Sequence, residues 1–217
     1  MSRGPFQLKF DDLPQVLQIF PLTGALLLPG GRLPLNIFEP RYLEMVDRAL
    51  AEHRMIGMIQ PKEESEDQGS APVYPVGCAG RISQFGESED GRYMIMLNGV
   101  IRFNIAEELA PKSYRQVRAD YTSYKPDLEE SHCNVDRARL LGVLKNYFEA
   151  EDIESDWTLI DQTDDGRLVT ALSMLCPLDP SEKQLLLEAT TQDERADRLI
   201  TVLEMAMAGN GIGQVRH

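Results

Sequence analysis

No stretch of the 217 residues reaches the roughly 18 uninterrupted apolar positions that a membrane-crossing helix requires. Met1 to Asp12 also lacks the basic start and apolar run of an export signal, so neither a span nor secretion is expected. Cysteine is scarce. Cys78, Cys133 and Cys176 are odd in number and widely spaced, which builds neither a disulfide framework nor a C-x-x-C pair, and free thiols in a reducing cytoplasm are the expectation. Histidine is as thin: His53, His132 and His217 are scattered, and His132-Cys133 offers two adjacent ligands with no second pair, so no metal site is expected. Positive charge is the largest shortage. With 22 Lys and Arg against 35 Asp and Glu, the net charge of −13 repels phosphate backbones and anionic headgroups, which argues against nucleic acid and membrane as partners. There is no Gly-Lys dipeptide, and hence no phosphate-binding loop of the form G-x-x-x-x-G-K-[ST].

What the chain does contain is enough apolar residue, 42%, to bury one large core or two modest ones. Charge divides it unevenly. Residues 1–124 carry 16 acids against 13 bases, and residues 125–217 carry 19 against 9, so the second part holds most of the excess. From Val16 to Tyr124 the apolar residues come in short runs broken by Gly and Pro, the pattern of strands and turns. Strands are predicted at Val16–Phe20, Arg32–Ile37, Met55–Ile59, Val76–Gln84, Tyr93–Asn98, Ile101–Glu107 and Gln116–Tyr121, enough for a barrel or sandwich. Asp90-Gly91 predicts a tight hairpin, and Asn98-Gly99 a second turn, giving a three-stranded meander. One helix interrupts the strands: Pro40 suits a first helical position, and Tyr42, Leu43, Met45, Val46, Ala49 and Leu50 fall on successive turns. Pro61 to Pro72 is polar and acidic and reads as a surface loop.

After Lys125-Pro126-Asp127 the period changes. Leu140, Leu141, Leu144, Tyr147 and Phe148 repeat at helical spacing, as do Leu168, Leu172 and Leu175. Asp179-Pro180-Ser181-Glu182 and Thr191-Gln192-Asp193-Glu194 are helix starts with capping residues. Ala196, Leu199, Ile200 and Leu203 line one face of the last helix, for which Gly209 is the predicted stop.

Ile19-Phe20-Pro21-Leu22, followed by Leu28-Pro29-Gly30-Gly31-Arg32-Leu33-Pro34-Leu35-Asn36-Ile37-Phe38-Glu39-Pro40-Arg41-Tyr42, resembles the opening of the amino-terminal, substrate-binding domain of Lon proteases, in particular its stand-alone bacterial form. Val76-Gly77-Cys78-Ala79-Gly80-Arg81-Ile82 is similar to the family's V-G-x-x-A-R-I strand, with Gly80 where alanine is usual, and Asn98-Gly99-Val100-Ile101-Arg102-Phe103 to its G-x-x-R-F segment. Ala171 to Ala189 resembles the helical extension of the stand-alone members. The resemblance implies an α+β chain: a PUA-like β-barrel over residues 14–124, then an α-helical bundle over residues 127–209. It implies capture of protein or peptide, without the ATPase and protease domains of full-length Lon.

For chemistry the residues offer little. Ser181 and Lys183 stand two apart on a helix and point to different sides, and the acid pairs Glu107-Glu108, Glu129-Glu130 and Asp164-Asp165 are of the kind found on solvated faces and helix starts. No catalytic residue, metal or cofactor is assigned. For binding, Glu39, Arg41 and Tyr42 have two readings, a capped and packed helix start or the flank of a groove. The loop from Leu26 to Pro34, with Pro29 and Arg32, is the better candidate for peptide contact: Leu26, Leu27 or Phe38 form an apolar patch, held by prolines and glycines and rimmed by charge, or the leucines fill the barrel. The expected function is a non-catalytic module that binds exposed apolar segments of proteins, as an adaptor for proteolysis or quality control. The alternatives are an RNA-binding PUA-like protein, which the acidic charge opposes, and a small-molecule enzyme or sensor with its ligand in a barrel pocket.

Overall fold

The computed structural model describes residues 8–63, 71–110, 112–129 and 133–213, with side chains as far as residue 208. The chain divides into two compact units, Met1–Glu130 and Ser131–His217. The class is α+β, as the sequence implies.

Among the described residues the first unit is a six-stranded sheet with one α-helix and two short 3-10 helices. Its elements are β1 (Val16–Pro21), β2 (Arg32–Ile37), α1 (Pro40–Ala51), β3 (Met55–Ile59), β4 (Val76–Glu87), β5 (Tyr93–Glu108) and β6 (Arg115–Asp120). The order is β2-β5-β4-β3-β1-β6, with β5 also pairing β6. All neighbours are antiparallel except β1 and β3, whose parallel register sets Ile19 beside Gly57. Pairing thus returns on itself through β5, but the sheet is not a closed barrel, because β2 pairs only with β5 and keeps an open edge. Gly99 donates its N–H to Gly31, so by antiparallel alternation the outward-pointing residues of β2 are Arg32, Pro34 and Asn36. Proline tolerates such an edge because it has no N–H to donate.

The predicted turn at Asn98-Gly99 is absent. A continuous strand of 16 residues runs from Tyr93 to Glu108, and β4 with β5 makes a two-stranded hairpin closed at Ser88–Arg92, where Gly91 adopts φ +77. The sequence signal marked a bulge: Ala79 faces Ile101 and Gly80 faces Gly99, leaving Val100 as the extra residue. Glycine is required at 99 for closeness, since a Cβ there would stand 1.9 Å from the Leu28 carbonyl oxygen. Another close approach organises the core. Phe103, fully buried, lies over Gly77, where a Cβ would meet its ring at 2.7 Å and the Met58 carbonyl at 2.6 Å. At Gly80, the departure from the family pattern, an added Cβ would come within 2.6 Å of Leu27 Cδ2.

Arg102 precedes Phe103 and points the other way, into a buried ion pair. Its backbone N–H and Nε donate to Asp127 Oδ2 at 3.0 and 2.9 Å, its second terminal nitrogen donates to Oδ1 at 2.7 Å, and its guanidinium lies 4.5 Å from the Tyr124 ring centre. The two side chains are 4% and 9% exposed. This pair fastens the 3-10 helix Thr122–Leu128 to β5, so Asp127, read from the sequence as the first residue of the helical part, folds with the sheet. The loop predicted from Pro61 to Pro72 lies largely outside the described residues; its two ends are joined by Lys62 N–H donating to the Pro72 carbonyl at 2.7 Å.

The second unit contains α2 (Arg137–Ala150), α3 (Trp157–Gln162), α4 (Asp165–Leu175), α5 (Pro180–Leu187) and α6 (Gln192–Gly213), with α2, α4 and α5 each packed against α6. The expected stripe Ala196, Leu199, Ile200 and Leu203 is buried, as are Leu140, Leu144, Tyr147 and Phe148. Asp179 and Glu182 form the predicted capping box on α5. At α6 the Glu194 carboxylate accepts from the N–H and hydroxyl of Thr190, which hold its pKa down to about 2. Two expectations fail here. Leu175 is 79% exposed, because the stripe continues at i+4 from Leu172 to the buried Cys176. Gly209 does not end α6, which runs on to Gly213; a helical glycine costs only about 1 kcal/mol and is no obligatory stop.

Replacing Asp127 with alanine strands the Arg102 charge in the protein and is expected to cost about 3–5 kcal/mol. Urea unfolding of the Asp127→Ala chain checks this, and a loss under 1 kcal/mol (~) would contradict the role assigned to the pair.

Candidate functional site

For the segment between β1 and β2 the sequence allows either an exposed patch or core. Leu26, Leu27 and Leu28 are all buried, Leu27 at 1% exposed. The chain is pinned on both sides of them: Leu22 N–H donates to the Ile59 carbonyl at 3.1 Å, and Gly30 N–H to the Gly99 carbonyl at 3.0 Å. Between these anchors the three leucines have only the sheet interior to enter, so Leu26 and Leu27 do not belong to an exposed surface. Pro29 is half-buried, Arg32 is exposed, and Phe38 stands 61% exposed beyond the end of β2.

Glu39, Arg41 and Tyr42 adopt the helix-start arrangement. Glu39 is the residue before the first turn of α1, with Pro40 following it, and its carboxylate takes Arg41 at 2.8 Å. The Arg41 guanidinium lies 4.8 Å from the centre of the Tyr42 ring, which is buried and packs 4.4 Å from Phe20. Tyr42 therefore cannot flank a groove. His53 is a structural residue too: Nδ1 accepts from Met55 N–H at 3.1 Å, and burial lowers its pKa, consistent with a neutral ring. Glu107 and Glu108 pair with Arg118 and Arg115, and Asp164 caps α4.

The exposed apolar surface lies instead on one face of the β4–β5–β2 arm. In the register, Asn36 opposes Met94 and Pro34 opposes Met96, while on the other side Met94 opposes Gly86 and Met96 opposes Gln84. Residues directly opposite share a face, so Pro34, Asn36, Gln84, Met94 and Met96 line a shallow groove of about 330 Å³. Met94 is 56% exposed. Phe38 continues this row past the strand end, with the Arg92 guanidinium 5.6 Å from its ring centre. The signal that would have found this face is Tyr93-Met94-Ile95-Met96-Leu97: a strand of a hairpin with one solvated face should alternate, and this one is apolar on both.

The sequence matches the family model for the ATP-dependent protease La (LON) substrate-binding domain over residues 16–205, from β1 into α6. The chain belongs to that family. It is 29% identical over 204 residues to Lon protease 2 of Myxococcus xanthus, covering 90% of this chain and 24% of that protein. It is 27% identical over 192 residues to Lon protease of Flavobacterium johnsoniae, covering 86% and 23%. The chain thus spans about a quarter of the length of these relatives. Among solved structures, the Lon N-terminal domain protein from Xanthomonas campestris aligns with TM-score 0.61 at 20% identity over 86% of this chain and 97% of that one. The N-terminal domain of Mycobacterium avium complex Lon protease aligns with TM-score 0.62 at 18% identity over 87% and 98%. At these identities the structural likeness establishes the fold. No helix among the described residues is long and apolar enough to cross a membrane.

Core and surface assignments within the segment separate cleanly by stability. Leu27→Ala should destabilise the chain by about 2–5 kcal/mol, whereas Phe38→Ala should change stability by no more than about 0.5 kcal/mol. Thermal and urea denaturation of the two variants side by side measures the contrast.

Proposed function

We propose that this Lon-type substrate-binding domain is a non-catalytic module that captures exposed apolar segments of other polypeptides and serves as an adaptor for proteolysis or quality control. The observation that carries the reading is the apolar face of Met94, Met96 and Pro34 with Phe38 at its end, on a chain whose family is defined by substrate binding. Unfolded chains have hydrophobicity and extended backbone in common, and a shallow apolar groove engages both without demanding a sequence. Methionine suits such a surface, since its unbranched thioether side chain repacks against different partners. Recognition by the face is favoured over strand addition at the open edge, where Pro34 offers no N–H to an incoming strand. The net charge of −13 supports protein partners over nucleic acid and keeps the module soluble beside its apolar face, as a cytoplasmic location would require. Of the residues singled out from the sequence, Phe38, Arg32 and Pro29 remain in this reading, Arg41 serves through its hold on Glu39, and Leu26, Leu27 and Tyr42 support the arm from within.

Fluorescence anisotropy with a labelled, permanently unfolded casein-like chain tests the proposal. The protein should bind at micromolar levels, and Met94→Glu combined with Phe38→Ser should weaken binding by about tenfold or more, with an unchanged unfolding midpoint. Absence of binding, or binding indifferent to the double substitution, would sink it.

A further inference from the structure

In the first unit, Arg41, Arg48, Arg92, Arg102, Arg115 and Arg118 each hold a carboxylate within 3.2 Å. Arg32, Arg54 and Arg81 do not: among the described residues their side chains have no ion pair or hydrogen bond. In a chain with 35 acids, three uncommitted arginines are unexpected, and these three are gathered in one place. Arg32 and Arg81 both oppose Asn98, one from each side of β5, which puts all three residues in a single row across the sheet. Arg54, next to the Met55 that opposes Arg81, joins Arg81, Asn98 and Ser83 in the wall of a cleft of about 500 Å³. Among the described residues the cleft has one carboxylate on its wall, Asp127, and both of its oxygens are already engaged by Arg102.

Arg54 also holds an unfavourable backbone conformation. Its φ is 59, in the left-handed region where glycine or asparagine is the ordinary choice after a helix. The backbone is fixed there because its N–H donates to the Ala49 carbonyl at 2.7 Å and its carbonyl accepts from Ile82 N–H at 2.8 Å. Glycine would hold the same turn without that strain.

We propose that this cleft binds the C-terminal carboxylate of a polypeptide, with the last apolar side chains of that polypeptide lying along Met96 and Met94. The inference rests on the polypeptide-binding reading and assigns the end of the chain that is recognised. The apolar groove and the arginine row are on the same face of β5, and from Met94 to Asn98 the strand advances about 13 Å, the reach of some four extended residues. Guanidinium forks match a carboxylate in plane and charge, and Val100 and Leu128 give the cleft an apolar part beside them. A single negative charge suits the site better than a polyanion, which would meet the field of a chain at −13 along its whole length.

The test compares one short labelled peptide with an apolar C-terminal residue as free acid and as amide, on the whole chain and on its Arg54→Gly and Arg81→Gln variants. The free acid should bind at least about tenfold more tightly than the amide, and that ratio should fall towards one in each variant. Arg54→Gly relieves the positive φ, so a collapse of the ratio there is not a folding defect, and unfolding midpoints verify this for both variants. Equal affinity for acid and amide overturns the inference while leaving polypeptide capture standing; binding of neither overturns both. Inorganic phosphate shifting the amide resonances of Arg54 and Arg81, with acid and amide peptides still bound alike, would assign the cleft to phosphate and overturn the inference as well.

Discussion

The Leu28 carbonyl occupies the space where residue 99 would carry a side chain, and the rest of the first unit is arranged around that contact. Because residue 99 is glycine, the segment after Leu28 lies directly on β5, and Gly30 and Gly31 exchange hydrogen bonds with Gly99. That contact draws Leu26, Leu27 and Leu28 inward and delivers the chain into β2 in register with the first half of β5. It also lets β5 run straight through for 16 residues, so one strand pairs with β2 and β6 along one edge and with β4 along the other. A turn at the same place would have shortened β5, detached the β2 arm and dispersed the face that Met94, Met96 and Asn98 share.

Much of this architecture was legible. Strand positions followed from short apolar runs, and β2 and β3 lie where alternation and β-branched content place them. The helices were legible from proline, capping acids and a 3.6-residue period, each a local signal. What failed was local chemistry with a tertiary explanation. Asn-Gly marks both a turn and a bulge, and the choice between them was made by a carbonyl 71 residues earlier in the chain. Leu175 matched helical spacing as well as Cys176 did, and which of the two is buried depends on how α4 meets its neighbours.

The site was less legible than the fold, for a related reason. The most recognisable residues, from Phe20 to Tyr42 and the Arg102-Phe103 pair, are conspicuous because each has an unusual structural duty: the Phe20–Tyr42 contact, the Glu39–Arg41 pair, the Arg102–Asp127 pair and the seating of Phe103 on Gly77. Most of that motif therefore works inside the protein. The surface candidates, Met94 and Met96 in the groove and Arg54 and Arg81 in the cleft, are separated in sequence and no local pattern joins them. Only the register across β5 and β4 brings Met94, Met96 and Arg81 onto one face, and only the left-handed turn after α1 brings Arg54 alongside.

This separation of duties is compatible with a fold shared at identities near 20% to 30%. Close contacts such as Leu28 on residue 99, or Met58 and Phe103 on residue 77, tolerate no added atoms, so they fix identity at a few buried positions. Outward residues of an edge arm carry no such restriction, since side chains there touch solvent and can change without moving the backbone. Charge follows the same division. Among the described residues of the first unit, six arginines are tied to carboxylates that help hold the sheet and its turns, while Arg32, Arg54 and Arg81 keep their charge for the surface. The field that Arg54 and Arg81 project into the cleft, with Arg32 one strand away in the same row, is set by the fold, because their backbones are fixed by β2, β4 and the end of α1.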